Sequence, residues 1–122
     1  MPSMFTVVII LVVVVAVAAI LLTRSAPLGK VEAAIKQGAK VVDVRSAEEF
    51  REGHFPGAIN VPVDQLSARL DELGDPEKTV VLYCHSGMRS GSGIHIVRSG
   101  GFKKAINGGA LHRMMTLAGA QP

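Results

Sequence analysis

Cysteine occurs once in the 122 residues and tryptophan not at all. A single cysteine excludes an internal disulfide and cannot furnish a cysteine-rich metal site. It is either a small buried hydrophobe or a reactive thiol. Aromatic residues make up only 4%, and the lysines and arginines behind the net charge of +3 are scattered among Asp and Glu. A nucleic-acid groove needs basic residues interleaved with aromatics, so no nucleic-acid partner is expected. His54, His95 and His112 do not stand at metal-ligand spacing, and no carboxylate cluster joins them. Neither a metal nor another cofactor is expected.

Charge is missing altogether from one long stretch. From Met4 to Leu22 the only polar residue is Thr6. At about 1.5 Å per residue such a helix spans about 28 Å, close to the hydrocarbon thickness of a bilayer. It has no polar face, so it belongs in lipid or in a large core, and this chain is too small for the latter. Residues 1–23 are therefore expected to be a transmembrane anchor, with the membrane contact through residues 4–22. The rival is a cleaved signal peptide, but Met1–Met4 contain no basic residue and the apolar run is long. Arg24 and Lys30 follow the run and no Lys or Arg precedes it, which places the remainder in the cytoplasm. That compartment suits a free thiol.

Residues 24–29, with Pro27 and Gly29, read as a short linker, and residues 30–122 as one small domain. Lys30–Gln37 has helical spacing and Gly38 stops it; Lys40–Val44 is a β-branched run typical of a buried parallel strand. Ser46 and Glu49 match a capping box that opens a helix ending near Gly53. Phe55-Pro56-Gly57 is a turn before a short extended piece, Ala58–Val61. Leu66, Leu70 and Leu73 predict a helix over Asp64–Leu73. Thr79–Tyr83 is the clearest strand, followed by a loop, a helix over Gly91–Ser99, a strand at Lys103–Ile106 and a last helix at Ala110–Leu117. The alternation implies an α/β unit with a mostly parallel sheet, whose ligands bind at the carboxyl edge.

The segment Cys84-His85-Ser86-Gly87-Met88-Arg89-Ser90 follows the clearest strand. Cys84 is thereby placed at the carboxyl edge and beside a helix N-terminus. Free N–H groups and the helix dipole there favour a thiolate, the nucleophilic form. Gly87 allows the tight curvature of a cradle, and Arg89 offers a guanidinium fork for a small anion. Cys84 is the candidate nucleophile; His85, Ser86, Gly87, Met88 and Arg89 are candidate substrate-binding residues. For His85 the plainer reading is a loop filler that faces solvent. Met114 and Met115 read as core filler.

These residues resemble the rhodanese family. Asp43-Val44-Arg45-Ser46, Glu48-Glu49-Phe50 and Gly53-His54-Phe55-Pro56-Gly57-Ala58-Ile59-Asn60-Val61-Pro62 look like its N-terminal signature. Cys84 to Arg89 looks like its active-site loop, and Asn107-Gly108-Gly109 is similar to its C-terminal signature. The resemblance, over about residues 28–119, implies a central five-stranded parallel sheet flanked by helices. It also implies a ping-pong cycle: a small anionic donor such as thiosulfate leaves its sulfane sulfur on Cys84, and cyanide or a thiol acceptor removes it. The loop amides from His85 to Arg89 would hold the sulfur. Asp43 and Arg45 are similar to a signature pair that supports the loop from behind, although Arg45 could equally extend a positive rim or form a surface salt bridge. Many members carry a Trp after the Gly-Gly pair; here Arg113, Met114 and Met115 stand there, so the last helix is expected to pack differently.

Two other functions compete. A phosphatase or arsenate reductase of the same fold resembles this chain but has a loop one residue longer between Cys and Arg. A non-catalytic module that docks a membrane partner would usually lack the cysteine. The sequence names no protein partner.

Overall fold

The computed structural model describes residues 1–120. An apolar helix, α1 (Met4–Thr23), is followed by an α/β domain. The domain consists of α2 (Leu28–Lys36), β1 (Lys40–Asp43), α3 (Ala47–Glu52), β2 (Ile59–Asn60), β3 (Val80–Cys84), α4 (Met88–Ser99), β4 (Ala105–Ala110) and α5 (Leu111–Met115). Short 3₁₀ turns lie at Val63–Ala68, Leu70–Leu73 and Ala118–Ala120. The strands form one parallel sheet in the order β2-β1-β3-β4.

The period-two alternation of the strands divides the core into two layers. Val42, Val44, Val80, Leu82 and Cys84 face one side, packed on Leu66, Leu73, Ile94 and Val97. Val41, Val81 and Tyr83 face the other, packed on Val31, Ile35, Phe55 and Met114. Strands buried on both faces read as continuous apolar runs, which is why β1 and β3 were the most legible elements.

Within the described residues the sheet has four strands, not the five that the resemblance implies. Among the described residues the outer edge of β4 meets the four-residue junction between α1 and α2, residues 24–27. Ala26 donates its N–H to Asn107 O at 2.7 Å, Pro27 has no N–H to give, and α2 begins at Leu28. No room is left there for a fifth strand. The junction is accordingly shorter than the expected linker. The last two residues of the expected domain lie outside the described residues.

The predicted helix over 64–73 is two 3₁₀ turns broken at Arg69, whose φ is −124°. Leu66 and Leu73 still reach the core, so the apolar spacing was real although the backbone is tighter. The strand placed at 103–106 starts later and runs through Asn107-Gly108-Gly109 to Ala110. The register skips Gly108, a bulge position where a Cβ would stand 2.7 Å from Met114 Sδ and 3.0 Å from Val81 Cγ1. The last helix is correspondingly shorter. Met114 is buried, as expected, whereas Met115 is exposed and is not core filler.

Helix α1 is capped by Ser3, whose Oγ accepts the Thr6 N–H at 3.2 Å. Its Met4–Leu21 window has a mean hydropathy of 3.3, and none of it is buried against the domain. It is long and apolar enough to cross a membrane by length and composition, a property that a signal sequence shares.

Candidate active site

Cys84 is the last residue of β3, at the carboxyl edge of the sheet. The turn after it is closed by Gly87, the N-cap of α4, with φ at +94°. A Cβ here would be strained by that φ and would stand 3.3 Å from Gly109 Cα. The turn therefore curls back over the cysteine. Helix α4 begins at Met88, three residues earlier than expected, so Arg89 and Ser90 belong to its first turn rather than to a loop. Ser90, Gly91, Ser92 and Gly93 are weak helix formers, which obscured the start. Gly93 is dictated by packing, since a Cβ would lie 3.0 Å from Leu82 Cδ2 and 3.2 Å from Leu66 Cδ2.

The geometry concentrates donors on the sulfur. Gly87 N–H donates to Cys84 Sγ at 3.0 Å and Ser90 N–H at 3.4 Å, with the Ser86 amide adding to them. Ser90 Oγ lies 3.4 Å from the same sulfur. Cys84 is fully buried. Burial alone pushes the thiol up, but the Ser90 hydroxyl and the amides of Ser90, Gly87 and Ser86 outweigh it and leave the thiol below its ordinary value of 9.0.

Asn107 organises this cradle. Ser90 Oγ donates to Asn107 Oδ1 at 2.7 Å, and Gly109 N–H donates to the same oxygen at 3.0 Å. The Asn107 amide donates to Gly87 O at 3.2 Å. The β4 bulge thus carries a side chain that fixes both ends of the sulfur-binding turn. The sequence shows Asn107 within a signature without showing what it does. Nothing in the spacing links residue 107 to 84 or 90; only the pairing of β3 with β4 does so.

Arg89 is the second finding that the sequence did not foresee. Its guanidinium makes a bidentate pair with Glu49, at 2.7 Å and 2.9 Å. Glu49 also completes the capping box of α3: Ser46 Oγ accepts the Glu49 N–H, and Glu49 Oε1 accepts the Ser46 N–H, both at 3.2 Å. The Arg89 bond, chiefly, together with the Ser46 bonds holds the Glu49 carboxyl down at about 2. Arg89 remains close enough to Cys84 for their charges to interact.

Asp43 and Arg45 are neither rim nor surface. Both are buried, and Arg45 Nη2 reaches Asp43 Oδ2 and Gly53 O, each at 2.7 Å. Asn60 bridges Asp43 O and Arg45 O at 3.0 Å and 2.9 Å. The pair ties β1 to β2 and to the turn before Phe55, one strand away from the cysteine. His85 and Met88 point outward and are exposed, and His54 stacks on Phe50 with ring centroids 3.6 Å apart. No cluster of metal-ligating side chains occurs among the described residues.

A parallel α/β sheet thus carries at its carboxyl edge one cysteine whose sulfur is wrapped by backbone amides, an arrangement that favours the thiolate. The family model of the rhodanese-like domain matches residues 28–110, and the chain belongs to that family. Thiosulfate sulfurtransferase PspE of Escherichia coli is 34% identical over 71 residues, 57% of this chain and 68% of PspE. YqhL of Bacillus subtilis is 39% identical over 69 residues, 57% of this chain and 54% of YqhL. The solved structure of the human single-domain sulfurtransferase TSTD1 superposes with a TM-score of 0.66 at 28% identity, covering 75% of this chain and 95% of that one. Two further curated relatives are longer, and the chain spans 38% and 10% of them. Sulfur transfer is the chemistry named for PspE and for TSTD1.

Proposed function

We propose that the protein is a membrane-anchored sulfurtransferase that moves a sulfane sulfur from thiosulfate or a similar small anionic donor to a thiol or to cyanide. The observation that carries this reading is the set of backbone N–H groups converging on the buried Cys84 sulfur. The thiolate attacks the outer sulfur of the donor: a sulfur–sulfur bond forms at Cys84, the bond to the sulfonate breaks, and its electron pair leaves with sulfite. An acceptor thiolate or cyanide then attacks the outer sulfur of the persulfide, and the Cys84 thiolate is released. The amides of Ser86, Gly87 and Ser90 hold the negative sulfur in both states, the preorganised electrostatic support that such a step needs. Because the sulfur is buried, the rim must open for a donor to reach it. The Arg89–Glu49 pair, with side chains 40% and 32% exposed, is the part of the rim best placed to release, and the freed guanidinium is then a receptor for the donor's sulfonate.

The four residues between Cys84 and Arg89 make a narrow turn suited to one sulfur atom, which favours sulfur over phosphate or arsenate chemistry. Helix α1 serves as a single-pass span with the catalytic domain on the cytoplasmic side. The test is turnover. Thiosulfate and cyanide should give thiocyanate with the wild type and none with Cys84→Ser, while p-nitrophenyl phosphate is left intact. Phosphate ester hydrolysis without thiocyanate would transfer the assignment to the phosphatase reading, and no turnover of either would leave a binding module.

A further inference from the structure

The cations that matter for orientation are not only the two that follow α1 in sequence. Arg24 caps α1, Lys30 lies in the first turns of α2, Arg98 in the last turn of α4, and Lys103 and Lys104 in the turn before β4. The fold brings Arg24, Lys30 and Arg98 together at the foot of the apolar helix, with Lys103 and Lys104 one cavity further along the same side. Two adjoining cavities, of about 180 Å³ and about 370 Å³, share Lys30, Arg98 and Ile106 as walls. Leu21 of α1 and Arg24 border the first; Lys103 and Lys104 border the second. No acidic side chain lines either cavity, and none of the five cations is ion-paired with a carboxylate among the described residues. Arg98 is held in place by donating to Ala105 O at 2.9 Å, which spends one N–H but leaves its charge uncompensated.

We propose that this basic face is a docking surface for the anionic headgroups of the leaflet in which α1 ends, so that the domain is clamped to the membrane in one orientation. The inference rests on the reading of α1 as a span. Three features favour a lipid surface. The cations begin at the last apolar turn of α1, where headgroups would stand. They come from segments far apart in sequence but lie on one side of the domain. The cavity walls contain no aromatic side chain, so the stacking platform of a single-stranded nucleic-acid groove is missing. Each Lys or Arg close to an anionic surface favours contact about fivefold, within a Debye length of about 8 Å at physiological salt.

The test uses the full chain reconstituted in phosphatidylcholine vesicles with and without phosphatidylglycerol, read by flotation and by amide hydrogen exchange over residues 98–105. The expected result is flotation with both vesicles and exchange at least about fivefold slower in the anionic ones. High salt, or the double substitution Lys103→Glu and Lys104→Glu at two exposed positions, should abolish the slowing without releasing the protein from either vesicle. Equal exchange in both lipids, with flotation intact, overturns the docking surface alone. Failure to float with neutral vesicles removes the span, and the docking proposal with it. Slowing by added transfer RNA on neutral vesicles, with no response to phosphatidylglycerol, assigns the face to nucleic acid instead.

Discussion

Replacing Ser90 by Ala isolates one contribution to the ionisation of Cys84. The Ser90 hydroxyl has one proton and three acceptors within reach: Asn107 Oδ1 at 2.7 Å, Gly87 O at 3.1 Å and Cys84 Sγ at 3.4 Å. With a neutral thiol the shortest contact, to Asn107, holds that proton. Ionisation of the sulfur makes it the strongest acceptor, and the hydroxyl rotates toward it. A hydrogen bond to a charged group contributes about 1.5–3 kcal/mol. The long contact and the competition from Asn107 place this one at the lower end, about 1.5 kcal/mol, or about one pKa unit. The backbone donors from Ser86, Gly87 and Ser90 remain, so the shift should be partial. The assay is the rate of Cys84 alkylation by iodoacetamide across pH. For the wild type the rate should rise with pH and level off below the ordinary thiol value of 9.0. In Ser90→Ala the midpoint should move up by about one unit with a similar plateau. An unmoved midpoint would refute the rotating hydroxyl and leave the amides as the whole cause.

Other substitutions test neighbouring parts of the account. Asp43→Ala strands the buried Arg45 guanidinium and should cost about 3–5 kcal/mol in thermal unfolding followed by circular dichroism; a loss below about 1 kcal/mol would mean that Arg45 finds water. Tyr83→Phe removes the acceptor of the buried Phe55 N–H, bonded at 2.9 Å, and should cost about 1–3 kcal/mol, with thiocyanate formation retained because Tyr83 faces the layer away from Cys84. Glu49→Gln should lower the KM for thiosulfate by releasing Arg89, and an unchanged KM would show that the pair does not gate the donor. The same carboxyl, held at about 2 rather than its ordinary 4.5, stabilises the fold fully above pH 4.5. That contribution is lost as pH falls toward 2, so Glu49→Gln should lower stability slightly at neutral pH, the pair being partly exposed, and not at all near pH 2, which flattens acid unfolding in this window.

The sequence displayed what is local. The capping box of Ser46 and Glu49, the apolar strands β1 and β3, the turn after Phe55 and the placement of Cys84 before a helix all follow from short-range pattern. What stayed hidden depends on tertiary pairing. The Asn107 side chain reaches the cradle through a bulge that no alternation marks, and Glu49 reads as a cap until α3 is seen beside α4. The start of α4 is obscured because Gly93 serves close packing on Leu82 and Leu66, and Ser90 the hydrogen bonds of the cradle, rather than helix propensity. The missing fifth strand follows from α1 running to within a few residues of α2, a constraint visible only once Ala26 is found on the edge of β4. The five cations that line the two adjoining cavities below α1 are scattered letters until the fold assembles them.

The central claim is that a ring of amides keeps Cys84 ionised and able to carry a sulfur atom. Intact mass measurement of the full chain after exposure to thiosulfate tests it most directly. The account predicts a gain of one sulfur atom, mapped to Cys84, reversed by cyanide and absent in Cys84→Ala. A wild-type protein whose mass does not change, with its thiol still titrating as free, would contradict it.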